Sequence, residues 1–523
     1  MKLTRLLDNE HVRLWLWLSL WSAAVLMLMS MDSPLHHIYN RVDSAIFFMC
    51  GKAMMNGLCP YVDFSDSKGP LLWLIYGVGY LLSPRNYVGV YVLSCFFYGG
   101  ILYYNYLTAR LFLGDDRRPL IVALLMPLAY FLYWFHTEVR AEDFCSLFVA
   151  ASMYHLFLML YGSGAAAAQR TGGEEAEATL RTGGEEAACT VRRHGLVLGG
   201  CFMALVLIKW NIAVMQGSMI AVALWYYVRK DRQSLLPFLG WTAAGMCAVA
   251  LPFVVYLLVM GSLPAFIEEY FVRTVQTVQT PHGMPETYQD DFAKAWDTPE
   301  RQFLLLAIVG GGWLLGRRVP RFRYVPMLLG LFFYAVSVRH SFSYYYSICN
   351  IFLVYVLIYL VSHVGRQVKA VHLALAAALV IAWGIFENNR DDSRLKVLAI
   401  WATGDDKKHY EEAANIAQAM SGRDKPRVMN LFFWELGLEV PCEGIPAGKY
   451  FTYQNGMTPE MDAEHVALLK SGQADFIIVG DTRRCNKKGY TRQVIESCGY
   501  RLILRQGYTS EGSRRPVAVY ERK

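Results

Sequence analysis

A chain of 523 residues with 55% hydrophobic residues, a mean hydropathy of +0.26 and repeated apolar runs cannot be one soluble core, so it reads as a polytopic membrane protein. The net charge of +7 says less than where the cations lie, which is in short loops between the apolar runs, and it implies no nucleic-acid partner. The eleven cysteines are scattered singly, without a Cys-x-x-Cys pair or a zinc-like Cys/His spacing.

Lys2, Arg5 and Arg13 precede an apolar run from Leu14 to Met31 that is too long for a cleaved signal and lacks an Ala-x-Ala site, so it reads as a retained anchor. Arg110, Arg117 and Arg118 mark a cytoplasmic loop, as do Arg170 to Arg193, Arg229 to Arg232, Arg317 to Arg323, and Arg366 with Lys369. Threading spans between them predicts eleven helices, at 12–31, 86–108, 119–135, 144–162, 195–208, 212–228, 236–260, 302–316, 324–339, 346–364 and 370–386. The run Pro70 to Ser83 is short for a span of about 20 residues and is read as a surface or re-entrant helix of the first external loop, 32–85. Residues 163–194, with Ala165 to Ala168 and two Arg-Thr-Gly-Gly-Glu-Glu-Ala copies, read as a cytoplasmic low-complexity linker. The pair 195–208 and 212–228 reads as a hairpin turning at Lys209-Trp210-Asn211, where the lysine either touches a phosphate or only marks the turn. The stretch 261–300, carrying Glu268, Glu269, Arg273, His282, Asp290 and Asp291, is long enough for an external flap, with a plain solvated loop as the default.

The membrane region is thus placed at 1–387. From 388 to 523 the hydropathy falls and a small extracytoplasmic α/β domain is expected, with strands at 427–433, 475–479, 500–504 and 516–520 and helices at 460–471 and 491–498. The whole is a mainly α polytopic membrane protein, its N-terminus cytoplasmic and its C-terminal domain external.

Ionisable groups at a membrane surface are costly, and two clusters fall on the external side. One is Asp43, followed by the turn Gly57 to Tyr61 and by Asp66-Ser67-Lys68-Gly69-Pro70. The other is His136-Thr-Glu138-Val-Arg140-Ala-Glu142-Asp143, at the turn between the third and fourth spans.

In these residues the chain resembles the GT-C superfamily of membrane glycosyltransferases, in particular the branch of protein O-mannosyltransferases and the lipid A aminoarabinose transferase. The matching residues are Asp43-Ser-Ala-Ile-Phe-Phe, Gly57-x-x-Pro60-Tyr61-x-Asp63, Lys68-Gly-Pro70-Leu-Leu-Trp73, Ala109 to Gly114, and Arg140-x-Glu142-Asp143. The likeness covers roughly 1–390. It departs at Gly69, where the branch often has proline, and at the paired carboxylates 142 and 143, where one is usual.

The resemblance implies inverting transfer of a sugar from a polyprenyl-phosphate donor to an acceptor hydroxyl on a protein, lipid or glycan, at the periplasmic face of a bacterial inner membrane. Asp43 would take or align the hydroxyl proton, worth about 10²- to 10⁴-fold for a placed base, unless it only caps the helix that follows. Lys68 would neutralise the lipid-phosphate leaving group, or merely snorkel at a helix start. Glu142 or Asp143 would bind acceptor, metal or sugar, while Arg140 contacts substrate or simply pairs with them. Arg339 and His340 are set against the donor phosphate, and Tyr61 and Tyr345 against substrate or lipid, although an aromatic belt equally explains the tyrosines at 344–346. No cofactor is implied, and a divalent metal is left open because the sequence shows no compact ligand set. The rival reading is a transporter or flippase of lipid-linked glycans, which would show inverted repeats and broken midplane helices; neither is visible.

Overall fold

The computed structural model describes residues 8–30, 32–35, 43–132, 139–169, 184–279, 299–319, 322–337, 343–389, 407–431, 440, 442–451, 459–480, 482–510 and 513–523. Apolar helices follow the hydropathy closely: α1 Glu10–Met29, α2 Asp43–Met55, α3 Pro70–Leu82, α4 Val88–Leu113, α5 Arg118–Leu132, α6 Ala141–Gln169, α7 Gly184–Lys230 and α8 Leu235–Val259. After them come α9 Leu263–Phe266, a π-helical turn Ile267–Val272, α10 Arg273–Gln279, α11 Pro299–Gly316 and α12 Val325–Ser337. A 3₁₀ segment Ser343–Leu353 then runs into α13 Val354–Val361, and α14 Ala370–Asn389 closes the bundle. The molecule is a multi-pass membrane protein, with α1, α4, α6, α7 and α8 each carrying apolar stretches long enough to cross a bilayer.

Helix α6 runs past its expected end, through Ala165–Ala168 to Gln169, because alanines are the strongest helix formers. The segment between α6 and α7 therefore contains less loop than the composition of 163–194 suggested, and 170–183 lie outside the described residues.

Although α7 is helical on both sides of Lys209, it is not one straight rod. Lys209 has φ −156° and ψ 93°, and the Gln216 amide donates to the Leu198 carbonyl 18 residues earlier at 3.3 Å. Only two antiparallel legs, 184–208 and 210–230, bring those residues together, so the chain reverses at Lys209 as the sequence suggests. Leg one packs tightly on α8: a Cβ on Gly199 would lie 1.9 Å from the Thr242 carbonyl oxygen, and one on Gly245 2.3 Å from that of Leu196. Small residues are what let membrane helices approach this closely.

The C-terminal part adds α15 Lys407–Met420, β1 Arg427–Leu431, β2 Ile445–Pro446, α16 Pro459–Ser471, β3 Phe476–Val479, α17 Thr482–Lys487, α18 Arg492–Ser497, β4 Tyr500–Ser510 and β5 Ser513–Arg522. Its sheet has the order β2-β1-β3-β5-β4, parallel through β3 and antiparallel beyond it. Buried Val, Ile and Phe from the central strands face helices on both sides.

This domain sits on one end of the bundle. The Ser65 N–H donates to the Lys449 carbonyl at 2.9 Å, Arg85 pairs with Glu443 at 3.1 Å, and Lys449 pairs with Glu269 at 2.6 Å. The start of the 261–300 stretch is consequently docked helix rather than open loop: Glu269 and Tyr270 are buried, while His282, Asp290 and Asp291 lie outside the described residues. All eleven cysteines are free thiols.

Candidate active site

Three chain segments meet under the C-terminal domain: the loop between α2 and α3, the turn that opens α6, and the tip of the α7 hairpin. The turn is held by buried partners. The Val139 N–H donates to Asp32 Oδ2 at 2.6 Å, and its carbonyl accepts the Tyr76 hydroxyl at 2.6 Å. The Arg140 N–H donates to Asp143 Oδ2 at 2.8 Å, the reciprocal half of a capping box in which the third helical residue reaches back to the cap. Asp143 is thereby committed to starting its own helix. Glu142, one residue earlier, projects elsewhere and forms a buried ion pair with Lys209.

That pair binds the hairpin tip to α6. Lys209 also stands 3.9 Å above the centre of the Tyr345 ring, a cation–π contact that fixes the ammonium from a second side. Arg140 reaches the other way, its Nε 3.6 Å from Asp43 Oδ2 at the first turn of α2. Glu142 feels the charge of Lys68 as well as that of Lys209, and Lys209 feels that of Asp43. Five charged groups from segments far apart in sequence thus form one cluster at one end of the bundle.

The hairpin tip exposes helix-end groups that need partners. The Tyr270 hydroxyl donates to the Val206 carbonyl at 2.7 Å and accepts the Trp210 N–H at 3.0 Å, spanning the reversal with one side chain. Gly69 N–H donates to the Ile208 carbonyl at 3.0 Å, and a Cβ on Gly69 would fall 2.1 Å from the Leu207 carbonyl oxygen. A proline here would lose the N–H and collide with the tip.

Lys68, next in chain, lies 3.9 Å from Asp66, donates to Ser67 Oγ at 3.0 Å, and stands 5.3 Å from the Phe47 ring. Its carbonyl accepts the Tyr61 hydroxyl at 2.9 Å. Tyr61 itself is wholly buried, at φ +64°, against Trp73 and Phe266. Burial drives its phenol well above the usual range, so it stays a donor. It shapes the loop and does not line an open surface.

Of the residues singled out from sequence, Asp43, Lys68, Arg140, Glu142, Asp143 and Tyr345 come together; Arg339 and His340 lie outside the described residues. Lys209 emerges as a central charge. The signal for it was a lone lysine at the tip of an apolar hairpin. Asp32 and Tyr270 act through backbone contacts that no local pattern announces. Among the described residues no three His, Cys, Asp or Glu side chains gather as a metal site would need.

The arrangement of helices is shared with solved structures. Two solved structures carry it over nearly the whole chain, both of ArnT from Cupriavidus metallidurans. The apo form superposes with a TM-score of 0.60 at 12% identity, covering 97% of each chain. The form bound to undecaprenyl phosphate superposes at 0.58 and 12% identity, covering 96% of this chain and 98% of the other. No family model and no curated protein matches the sequence, so the likeness is one of fold.

Proposed function

We propose that the protein is an inverting glycosyltransferase that moves a sugar from a polyprenyl-phosphate donor to an acceptor hydroxyl at the periplasmic face of a bacterial inner membrane. The observation that carries this reading is the meeting of Asp43–Arg140 with Lys209–Glu142 beside Lys68, at the end of the bundle that bears the C-terminal domain. A structure with the same fold holds undecaprenyl phosphate, which supports a polyprenyl phosphate as the lipid recognised here.

In the reaction, the acceptor oxygen attacks the anomeric carbon from the face opposite the phosphate. The bond from that carbon to the phosphate oxygen breaks, and its electron pair leaves on the polyprenyl phosphate. Asp43 takes the acceptor proton, with Arg140 holding the carboxylate's orientation. Lys68 and Lys209 oppose the negative charge that grows on the departing phosphate. Glu142 keeps Lys209 in place, and Asp143 keeps the α6 turn in place.

The test is turnover of a panel of radiolabelled polyprenyl-phosphate sugars by the purified protein, set beside Asp43→Ala and Glu142→Ala. Release of free polyprenyl phosphate by the wild type, and its loss in both variants, supports the reading. Movement of intact donor across a vesicle without cleavage would replace it with transport.

A further inference from the structure

A cavity of about 390 Å³ lies between the C-terminal domain and the α2–α3 loop, and none of the five clustered charges lines it. Val62 and Asp63 of the loop form one wall; Glu464 and Ala467 of α16 form another, with Arg427 and Lys449 between. Its size falls in the range of small-ligand sites. The lining is polar yet balanced, because two carboxylates, Asp63 and Glu464, stand against two cations, Arg427 and Lys449. Two of the four charges are already engaged: Asp63 Oδ2 accepts the Cys59 N–H at 2.7 Å, and the Lys449 ammonium sits 2.6 Å from Glu269. Such a surface offers many hydrogen bonds without a net field, which favours a neutral, hydroxyl-rich ligand over an anion, a cation or a lipid tail.

The cavity is also joined to the charge cluster. Lys449, which lines it, accepts the Ser65 N–H through its carbonyl at 2.9 Å, three residues before Lys68. The Tyr450 hydroxyl donates to Glu269 at 3.1 Å, and the next residue, Tyr270, closes the hairpin tip beside Lys209. Burial first and the Glu269 carboxylate second push the Tyr450 phenol well above its usual range, so this donor persists.

We infer that this cavity binds a neutral saccharide unit of the acceptor, an assignment that rests on the transferase reading and narrows its acceptor to a glycan-bearing molecule. The test is equilibrium binding of radiolabelled neutral oligosaccharides (gluco-, manno-, galacto- and N-acetylglucosamine series) to the full-length protein in detergent, without donor. The variants are Ala467→Trp, on the exposed face of α16, and Asp43→Ala. At least one series should bind wild type and Asp43→Ala alike and lose tenfold or more in Ala467→Trp, while binding of polyprenyl phosphate alone is unchanged. No bound saccharide, or binding indifferent to Ala467→Trp, overturns the assignment. Donor turnover without saccharide binding would end the cavity proposal and leave the transferase; saccharide binding without donor turnover would end the transferase and, with it, the assignment of the bound saccharide to an acceptor.

Discussion

Replacing Lys209 with methionine separates what the buried pair does for stability from what it does for chemistry. Side-chain exposure is 8% at Lys209 and 2% at Glu142, so both charges have left water and rely on each other. Removing the ammonium alone strands the carboxylate, at a cost of about 3 to 5 kcal/mol. Glu142→Leu alone strands the ammonium at a similar cost. The double variant Lys209→Met with Glu142→Leu fills the space with apolar atoms, and its stability should return to within about 1 kcal/mol of wild type. Equilibrium unfolding in mixed micelles gives the coupling, expected at about 3 kcal/mol or more, and donor turnover measured on the same samples gives the chemistry. Stability should recover in the double variant while turnover stays lost, because the cation proposed to oppose the departing phosphate is gone. Single variants as stable as wild type would refute the burial argument. A double variant that turns over normally would refute the catalytic one.

Gly69→Pro should abolish turnover and lower the thermal midpoint, since it removes the N–H that caps Ile208 and places a ring against the Leu207 carbonyl; a variant with wild-type melting and turnover would show that the loop does not depend on this contact. In the C-terminal domain, burial lowers the His465 imidazole to about 4, partly opposed by Asp462. An unfolded histidine titrates near pH 6.5, so below that pH the unfolded chain takes a proton that the folded domain refuses. The stabilisation is complete above about pH 6.5 and is lost as pH falls toward 4, by up to about 3 kcal/mol. Denaturant unfolding of wild type and His465→Asn across that window checks this, and equal slopes in the two proteins would contradict it.

Much of the bundle was legible because hydropathy and cation placement are strong signals. The short run at Pro70–Leu82 stood apart by its length and by the side on which it would leave Arg117 and Arg118, and the Lys209 reversal followed from arginines on both flanks. The roles within the site were less legible. Glu142 and Asp143 are adjacent carboxylates with the same local sequence around them, and only the direction each takes from the first turn of α6 separates the ion pair from the cap. Tyr61 falls in a motif suggestive of ligand contact, yet a positive φ and two aromatic neighbours, Trp73 and Phe266, turn it inward. Tyr270 and Asp32 act on backbone groups more than 60 residues away in sequence, which no periodicity encodes. Strand β2, Ile445–Pro446, is too short for any alternation to show, and its place comes from pairing with β1.

The central role proposed here is that of Asp43, as the group that takes the acceptor proton while polyprenyl phosphate departs. A single-turnover experiment addresses this directly: protein preloaded with a polyprenyl-phosphate sugar it accepts is mixed with acceptor, and the product's anomeric configuration and the freed lipid phosphate are followed together. Wild type should release one polyprenyl phosphate per sugar transferred with inverted configuration, and Asp43→Ala should bind the donor equally well yet react about 10²- to 10⁴-fold more slowly. Transfer at the wild-type rate in Asp43→Ala, or a product of retained configuration, would contradict it.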